Sequence, residues 1–266
     1  MSPRAPGIAR SSDGAAIHYT VHGRRGPTVM LLHGWCCSQE FWRFQAEALS
    51  DRYRMLAVDL PGHGLSASTM LSRPRSIEAF GSDAATVADA VGADEIALIG
   101  HSMGGAAALE AALRLGPRCA FVLGVDTFTD AAFHRRRPSH EVEARIKAFA
   151  EDFPGMMEQM VRRITAGSVA RKTIDWIIEA MAEAEPRVAL PILGALLDWD
   201  IEARWPLLPC PVETINSVML VENSEGPQLD GLRVHAMDGV GHFPMLEAPE
   251  RFNAIARAAL RRHGLG

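Results

Sequence analysis

Short apolar runs alternate along the chain with longer stretches in which apolar residues recur at helical spacing. The runs Thr28–Leu32, Met55–Val58, Glu95–Ile99, Ala120–Val125, Val212–Ile215 and Arg233–Met237 read as buried strands. Between strands, Ile77, Phe80, Ala84, Val87, Ala88 and Val91 share one helical face, and Ala248–Arg261 repeats that pattern near the C-terminus. Strands alternating with helices predict parallel strands joined by crossovers, an α/β fold. Ahead of them, Gly7–Arg10 and Ala15–Val21 flank Asp13-Gly14 and are expected to form an antiparallel hairpin at the sheet edge.

One interval breaks the rhythm. From Phe128 to Trp205 the chain shows helical segments and no convincing strand, with breaks expected at Pro138, Pro154, Gly155, Pro186 and Pro191. The pattern therefore divides the chain into a core, residues 1–127 and 206–266, and a helical insertion, residues 128–205. The insertion carries Met156, Met157, Met160, Met181, Phe133, Phe149, Phe153, Trp176 and Trp199. Such residues make an ordinary core, and they also make an adaptable wall over a ligand pocket. The basic run His134–Arg137 reads as a solvated face rather than an anion site.

Composition narrows the function classes. The 266 residues are 48% hydrophobic, ample for one large core, and the formal charge of −5 offers no nucleic-acid surface. No run is long and apolar enough for a membrane span, and the first residues hold no signal-like apolar segment. The four cysteines, Cys36, Cys37, Cys119 and Cys210, have neither disulfide-framework nor metal spacing, so free thiols in a cytoplasmic protein are expected. No metal or cofactor motif is visible.

The sharpest chemical signal is Gly100-His101-Ser102-Met103-Gly104-Gly105, a G-x-S-x-G match between a strand-like run and the Ala- and Leu-rich stretch Ala106–Leu115. Strand, tight turn, helix is the context in which this motif throws a serine outward, and the flanking glycines remove the Cβ atoms the turn cannot hold. Ser102 is therefore the candidate nucleophile. A serine hydroxyl needs a base, an acid behind the base, and donors for the developing oxyanion. His242 follows the last strand-like run and precedes the last helix, which puts it at the carboxyl edge of the sheet beside Ser102. The oxyanion donors are expected to be the backbone N–H groups of Met103, at the positive end of its helix, and Trp35, in the loop after Thr28–Leu32.

Taken together, His33-Gly34-Trp35, Asp59-Leu60-Pro61-Gly62-His63-Gly64-Leu65-Ser66, Gly100–Gly105 and Gly239-Val240-Gly241-His242 resemble an α/β-hydrolase, and more narrowly the lipase/esterase-like branch with a helical cap. The resemblance runs in order over essentially the whole chain. It implies a mostly parallel eight-stranded sheet with helices on both faces, a cap between strands six and seven, and the order nucleophile, acid, histidine. It also implies that Asp59 and His63 belong to a structural loop.

The acid departs from the commonest family pattern, an aspartate just after strand seven. Residues 211–219 hold no aspartate, and the nearest carboxylates are Glu213, Glu222 and Glu225. A second arrangement resembles haloalkane dehalogenases, in which the acid follows strand six. Asp126 stands there, at the end of a very apolar run where an unpaired carboxylate is expensive. Asp126 is the first candidate and Glu222 the second, with another carboxylate or a bare dyad left open. The expected activity is hydrolysis of a carboxylic ester, thioester or lactone of a small, fairly apolar molecule, through an acyl-enzyme and without metal or cofactor. A C–C bond hydrolase, a perhydrolase and a non-catalytic binding protein are the alternatives. Asparagine in place of His101 would favour C–C cleavage, and a serine at 102 argues against aspartate-nucleophile chemistry.

Overall fold

The computed structural model describes residues 4–67, 76–129, 134–224 and 228–266. Phe133 and Glu225 lie outside the described residues. Eight strands form one sheet: β1 (Arg4–Arg10), β2 (Ala16–His22), β3 (Thr28–Leu32), β4 (Arg54–Val58), β5 (Ile96–His101), β6 (Cys119–Val125), β7 (Val212–Ser217) and β8 (Arg233–Met237). Their order is β1-β2-β4-β3-β5-β6-β7-β8. The pairings β1–β2 and β2–β4 are antiparallel and the rest are parallel. The sheet is thus mostly parallel, with the sequence-expected hairpin at its edge. Every residue of β3 and β5 is buried, as continuous apolar runs require when helices cover both faces.

Three core helices connect these strands: α1 (Arg43–Leu49), α2 (Ile77–Ala90) and α3 (Met103–Leu115). Right-handed crossovers place α1 on one face and α2 and α3 on the other. The buried stripe of α2 is Ile77, Phe80, Ala84, Val87 and Ala88, the face expected from spacing. Ser76 caps that helix, accepting from the Ala79 N–H at 3.1 Å. Between β6 and β7 come α4 (Ser139–Glu151), α5 (Phe153–Ile164), α6 (Arg171–Ala182), α7 (Pro186–Asp198) and α8 (Ile201–Arg204). After β7 follow α9 (Val218–Asn223), α10 (Pro244–Glu247) and α11 (Pro249–Arg262), which packs on α1.

Two expectations for the insertion are corrected. Pro191 does not break its helix: α7 runs through it, burying Ala189, Ile192, Leu193, Leu196 and Leu197. One lost hydrogen bond, to the Arg187 carbonyl, is outweighed by that apolar face. The run His134–Arg137 is not uniformly solvated either. His134 is buried with Nε2 2.9 Å from Thr127 Oγ1, while Arg135, Arg136 and Arg137 pair outward with Glu202, Asp198 and Glu141. Burial drives the His134 pKa down to about 4, so its imidazole is neutral.

The insertion is tied to the core at several points. Trp35 Nε1 donates to the Ala189 carbonyl at 2.8 Å, and its ring meets Phe149 and Phe153 edge-on. Trp199 Nε1 donates to Glu110 Oε1 at 2.8 Å. The His242 N–H donates to the Ile164 carbonyl at 2.7 Å. Ile164 ends α5 and His242 follows β8, so the insertion and a candidate site loop share backbone contacts.

Candidate active site

The elbow begins with steric necessity. Ser102 sits between β5 and α3 at φ 52° and ψ −118°, a strained conformation for a residue with a Cβ. Its N–H donates to the Val125 carbonyl at 3.0 Å, which ties the elbow to the end of β6. A Cβ on Gly100 would lie 2.2 Å from the Gly104 carbonyl oxygen, and one on Gly104 would lie 2.3 Å from that of Leu32. Those contacts are backbone against backbone and cannot yield. The glycines therefore let the first turn of α3 press against the end of β3, bringing the loop Gly34–Trp35 beside Ser102. Met103 is the first residue of α3, where an N–H has no intrahelical acceptor.

Asp126 follows β6, at φ 48°. Its N–H donates to the Ile215 carbonyl at 2.8 Å, and its Oδ1 accepts from the Ser217 N–H at 2.7 Å. Its Oδ2 lies 2.7 Å from His242 Nδ1. The loop carrying Asp126 is held by β7. Asn216 accepts from the Thr127 N–H at 3.1 Å and donates to the Thr127 carbonyl at 2.9 Å and to Thr129 Oγ1 at 2.8 Å. The Asp126 side chain is 2% exposed and that of His242 24%, so the carboxylate is sealed while the imidazole reaches open space.

The structure brings Ser102, His242, Asp126 and Trp35 to one cavity of about 200 Å³, which His101 and Phe128 also line. Met160 and Met181 of the insertion are part of its wall, whereas Met157, Phe149, Phe153 and Trp199 are buried in packing. The other carboxylates considered from sequence are elsewhere. Glu222 is exposed on α9. Glu213 is buried near the opposite end of β7, where it meets His235 at 2.6 Å, His263 at 2.9 Å and Arg262 at 3.1 Å. Burial alone would raise the Glu213 pKa, but those partners hold it below the ordinary range.

The remaining histidines have separate places. His33 Nε2 accepts from the Leu60 N–H at 3.0 Å, so its Nδ1 donates to the Gly34 carbonyl at 2.8 Å. Burial takes its pKa to about 4 and keeps it neutral. Asp59 accepts from the Gln39 N–H and Nε2, both at 2.7 Å, and from the Leu65 N–H at 3.1 Å, tying two loops together. His63 packs against His33 with ring centroids 4.9 Å apart and planes tilted by 59°. His101 Nε2 donates to the His242 carbonyl at 2.8 Å. Burial, and then His242 beside it, push His101 well below the usual histidine range, so it is neutral.

Sequence reasoning missed Glu247. Its Oε2 accepts from the Gly241 N–H at 2.6 Å and the Ala166 N–H at 3.3 Å, and its Oε1 from the Phe243 N–H at 3.0 Å. One carboxylate thus brackets His242 on both sides and joins its loop to the insertion. Burial raises its pKa. The available signal was a lone acid a few residues past the histidine in an otherwise apolar stretch. Glu247→Gln turns an acceptor oxygen into a donor facing a donor and releases the loop. A misplacement near 1 Å costs on the order of 10²-fold. Steady-state kinetics should show kcat reduced by about 10- to 100-fold with KM little changed; equal kcat would remove this role.

A serine on a strained strand-to-helix elbow, with a histidine and an aspartate converging from later loops of a mostly parallel sheet, is the architecture of α/β hydrolases. The chain belongs to the Alpha/beta hydrolase family, whose model matches residues 29–255. It is 31% identical over 196 residues to a pimeloyl-[acyl-carrier protein] methyl ester esterase of Chromobacterium violaceum, covering 70% of this chain and 73% of that one. Among solved structures, an esterase from Exiguobacterium antarcticum superimposes with a TM-score of 0.81 at 20% identity, over 97% of this chain and 100% of that one. The enol-lactonase from Burkholderia xenovorans gives a TM-score of 0.79 at 18% identity, over 96% and 100%. Among the described residues, no helix is long and apolar enough to cross a membrane.

Proposed function

We propose that this protein is a carboxylic ester hydrolase in which Ser102, His242 and Asp126 form the triad and residues 128–205 form a cap over the acyl site. The observation that carries this reading is the 2.7 Å contact between His242 Nδ1 and Asp126 Oδ2 in the cavity that holds Ser102 on its elbow. With Nδ1–H donating to Asp126, His242 keeps an Nε2 lone pair to take the Ser102 proton. Ser102 Oγ adds to the ester carbonyl, and the N–H groups of Trp35 and Met103 stabilise the oxyanion. Each such donor is worth about 10²–10³ in turnover. Collapse breaks the bond to the alcohol oxygen, which takes the proton from His242, and water then resolves the acyl-enzyme with His242 again as base. The esterase and lactonase relatives fit this chemistry.

The cavity of about 200 Å³ is smaller than the roughly 300–1,000 Å³ of drug-sized ligand sites, which favours short acyl groups. The test is hydrolysis of p-nitrophenyl esters from acetate to decanoate, together with labelling by a fluorophosphonate. Turnover peaking at the short end, with one adduct on the peptide containing Ser102, is the expected result. Neither turnover nor adduct would overturn the reading.

A further inference from the structure

On its insertion side the cavity wall is mostly apolar; the polar exceptions are the neutral His134, which meets Thr127, and two exposed cations, Arg145 of α4 and Arg163 of α5. Their neighbours satisfy their charges locally: Arg137 reaches Glu141 at 3.5 Å, and Arg162 reaches Glu158 at 2.9 Å and Asp175 at 3.7 Å. Among the described residues, neither Arg145 nor Arg163 has a carboxylate within ion-pair distance. They also work against each other. Partial burial, followed by the charges of Arg137 and Arg163, lowers the Arg145 pKa. Two like charges beside an apolar cavity are unfavourable in the free protein, and an anion between them relieves that cost. Both arginines line the cavity and keep exposed surface, so their charges are open to solvent.

We infer that the substrate is an ester with a carboxylate remote from the scissile carbonyl, held by Arg145 and Arg163. The inference rests on the ester-hydrolase reading and narrows its substrate class. A guanidinium presents a planar fork that matches a carboxylate with two parallel hydrogen bonds. The apolar wall would take the carbon chain between carbonyl and anion. Because both cations are open to water, the attraction is screened by salt. The carboxylate could belong to the acyl half or to the alcohol half, and the two leave different signatures.

The experiment compares kcat/KM within two matched pairs. Mono-p-nitrophenyl adipate against p-nitrophenyl hexanoate puts the charge on the acyl chain; 4-(hexanoyloxy)benzoate against phenyl hexanoate puts it on the leaving group. The wild-type protein should prefer the charged member of one pair by about 10-fold at low ionic strength, less at high salt. Arg145→Gln with Arg163→Gln should bring that ratio close to one. Arg171→Gln, exposed at the start of α6, is the control and should leave the ratio as it is. A wild-type ratio near one in both pairs, or a preference that survives the double variant, would overturn the inference. If none of these six-carbon esters is turned over, the acetate-to-decanoate series and the fluorophosphonate adduct judge the ester reading separately. Calorimetric binding of monoethyl adipate to wild type against the double variant then decides the anion site: tighter binding by wild type supports it, and equal or absent binding overturns it.

Discussion

Ser102→Ala is expected to lower kcat on a p-nitrophenyl ester by about 10⁵- to 10⁶-fold, the scale seen when the serine of a cooperating triad is removed. The residual rate comes from binding and the oxyanion donors, which the variant keeps. The fold has no need of this hydroxyl. Ser102 holds φ 52° because the elbow requires it, and alanine inherits that strain. Glycine does not, so Ser102→Gly should be as inactive as Ser102→Ala yet melt a few degrees higher, about 1–2 kcal/mol of strain being relieved. Kinetics and thermal melts of the two variants together separate chemistry from stability. Activity of either variant within about 100-fold of wild type would exclude Ser102 as nucleophile.

Asp126→Asn should lower kcat by about 10⁴-fold, the effect of forcing the wrong histidine tautomer. The structure explains why the amide cannot simply flip to help. The Ser217 N–H donates to Oδ1 at 2.7 Å, so an asparagine keeps its oxygen there and turns its NH₂ towards His242 Nδ1. Nδ1 must then accept, the proton moves to Nε2, and no lone pair faces Ser102. Glu222→Gln, on the exposed side of α9, should leave kcat within about twofold. A large loss from Glu222→Gln with Asp126→Asn unaffected would transfer the acid role.

These roles were unequally legible beforehand. Ser102 and His242 could be placed because each lies in a local context, strand–glycine–helix or strand–loop–helix, that a short stretch of sequence expresses. The partner of His242 was harder, since Asp126, Glu213 and Glu222 all follow or occupy apolar runs. Only the parallel pairing of β6 with β7, which sets Val125 beside Ile215, put Asp126 under the Ser217 N–H and within 2.7 Å of His242. The same pairing left Glu213 at the other end of its strand. Glu247 escaped notice because its three backbone donors come from two segments of the chain, one of them in the insertion.

By itself the sequence determined the α/β alternation, the antiparallel edge, the helical insertion and the elbow. Each of these is written in nearest-neighbour terms: apolar periodicity, turn residues, and glycines where no Cβ fits. Tertiary structure alone decided which carboxylate meets His242, the tie between Glu247 and the histidine loop, the continuity of α7 through Pro191, and the burial of His134. Those depend on which distant backbone groups meet, and a hydrogen bond or a buried face between residues far apart in the chain has no local signature.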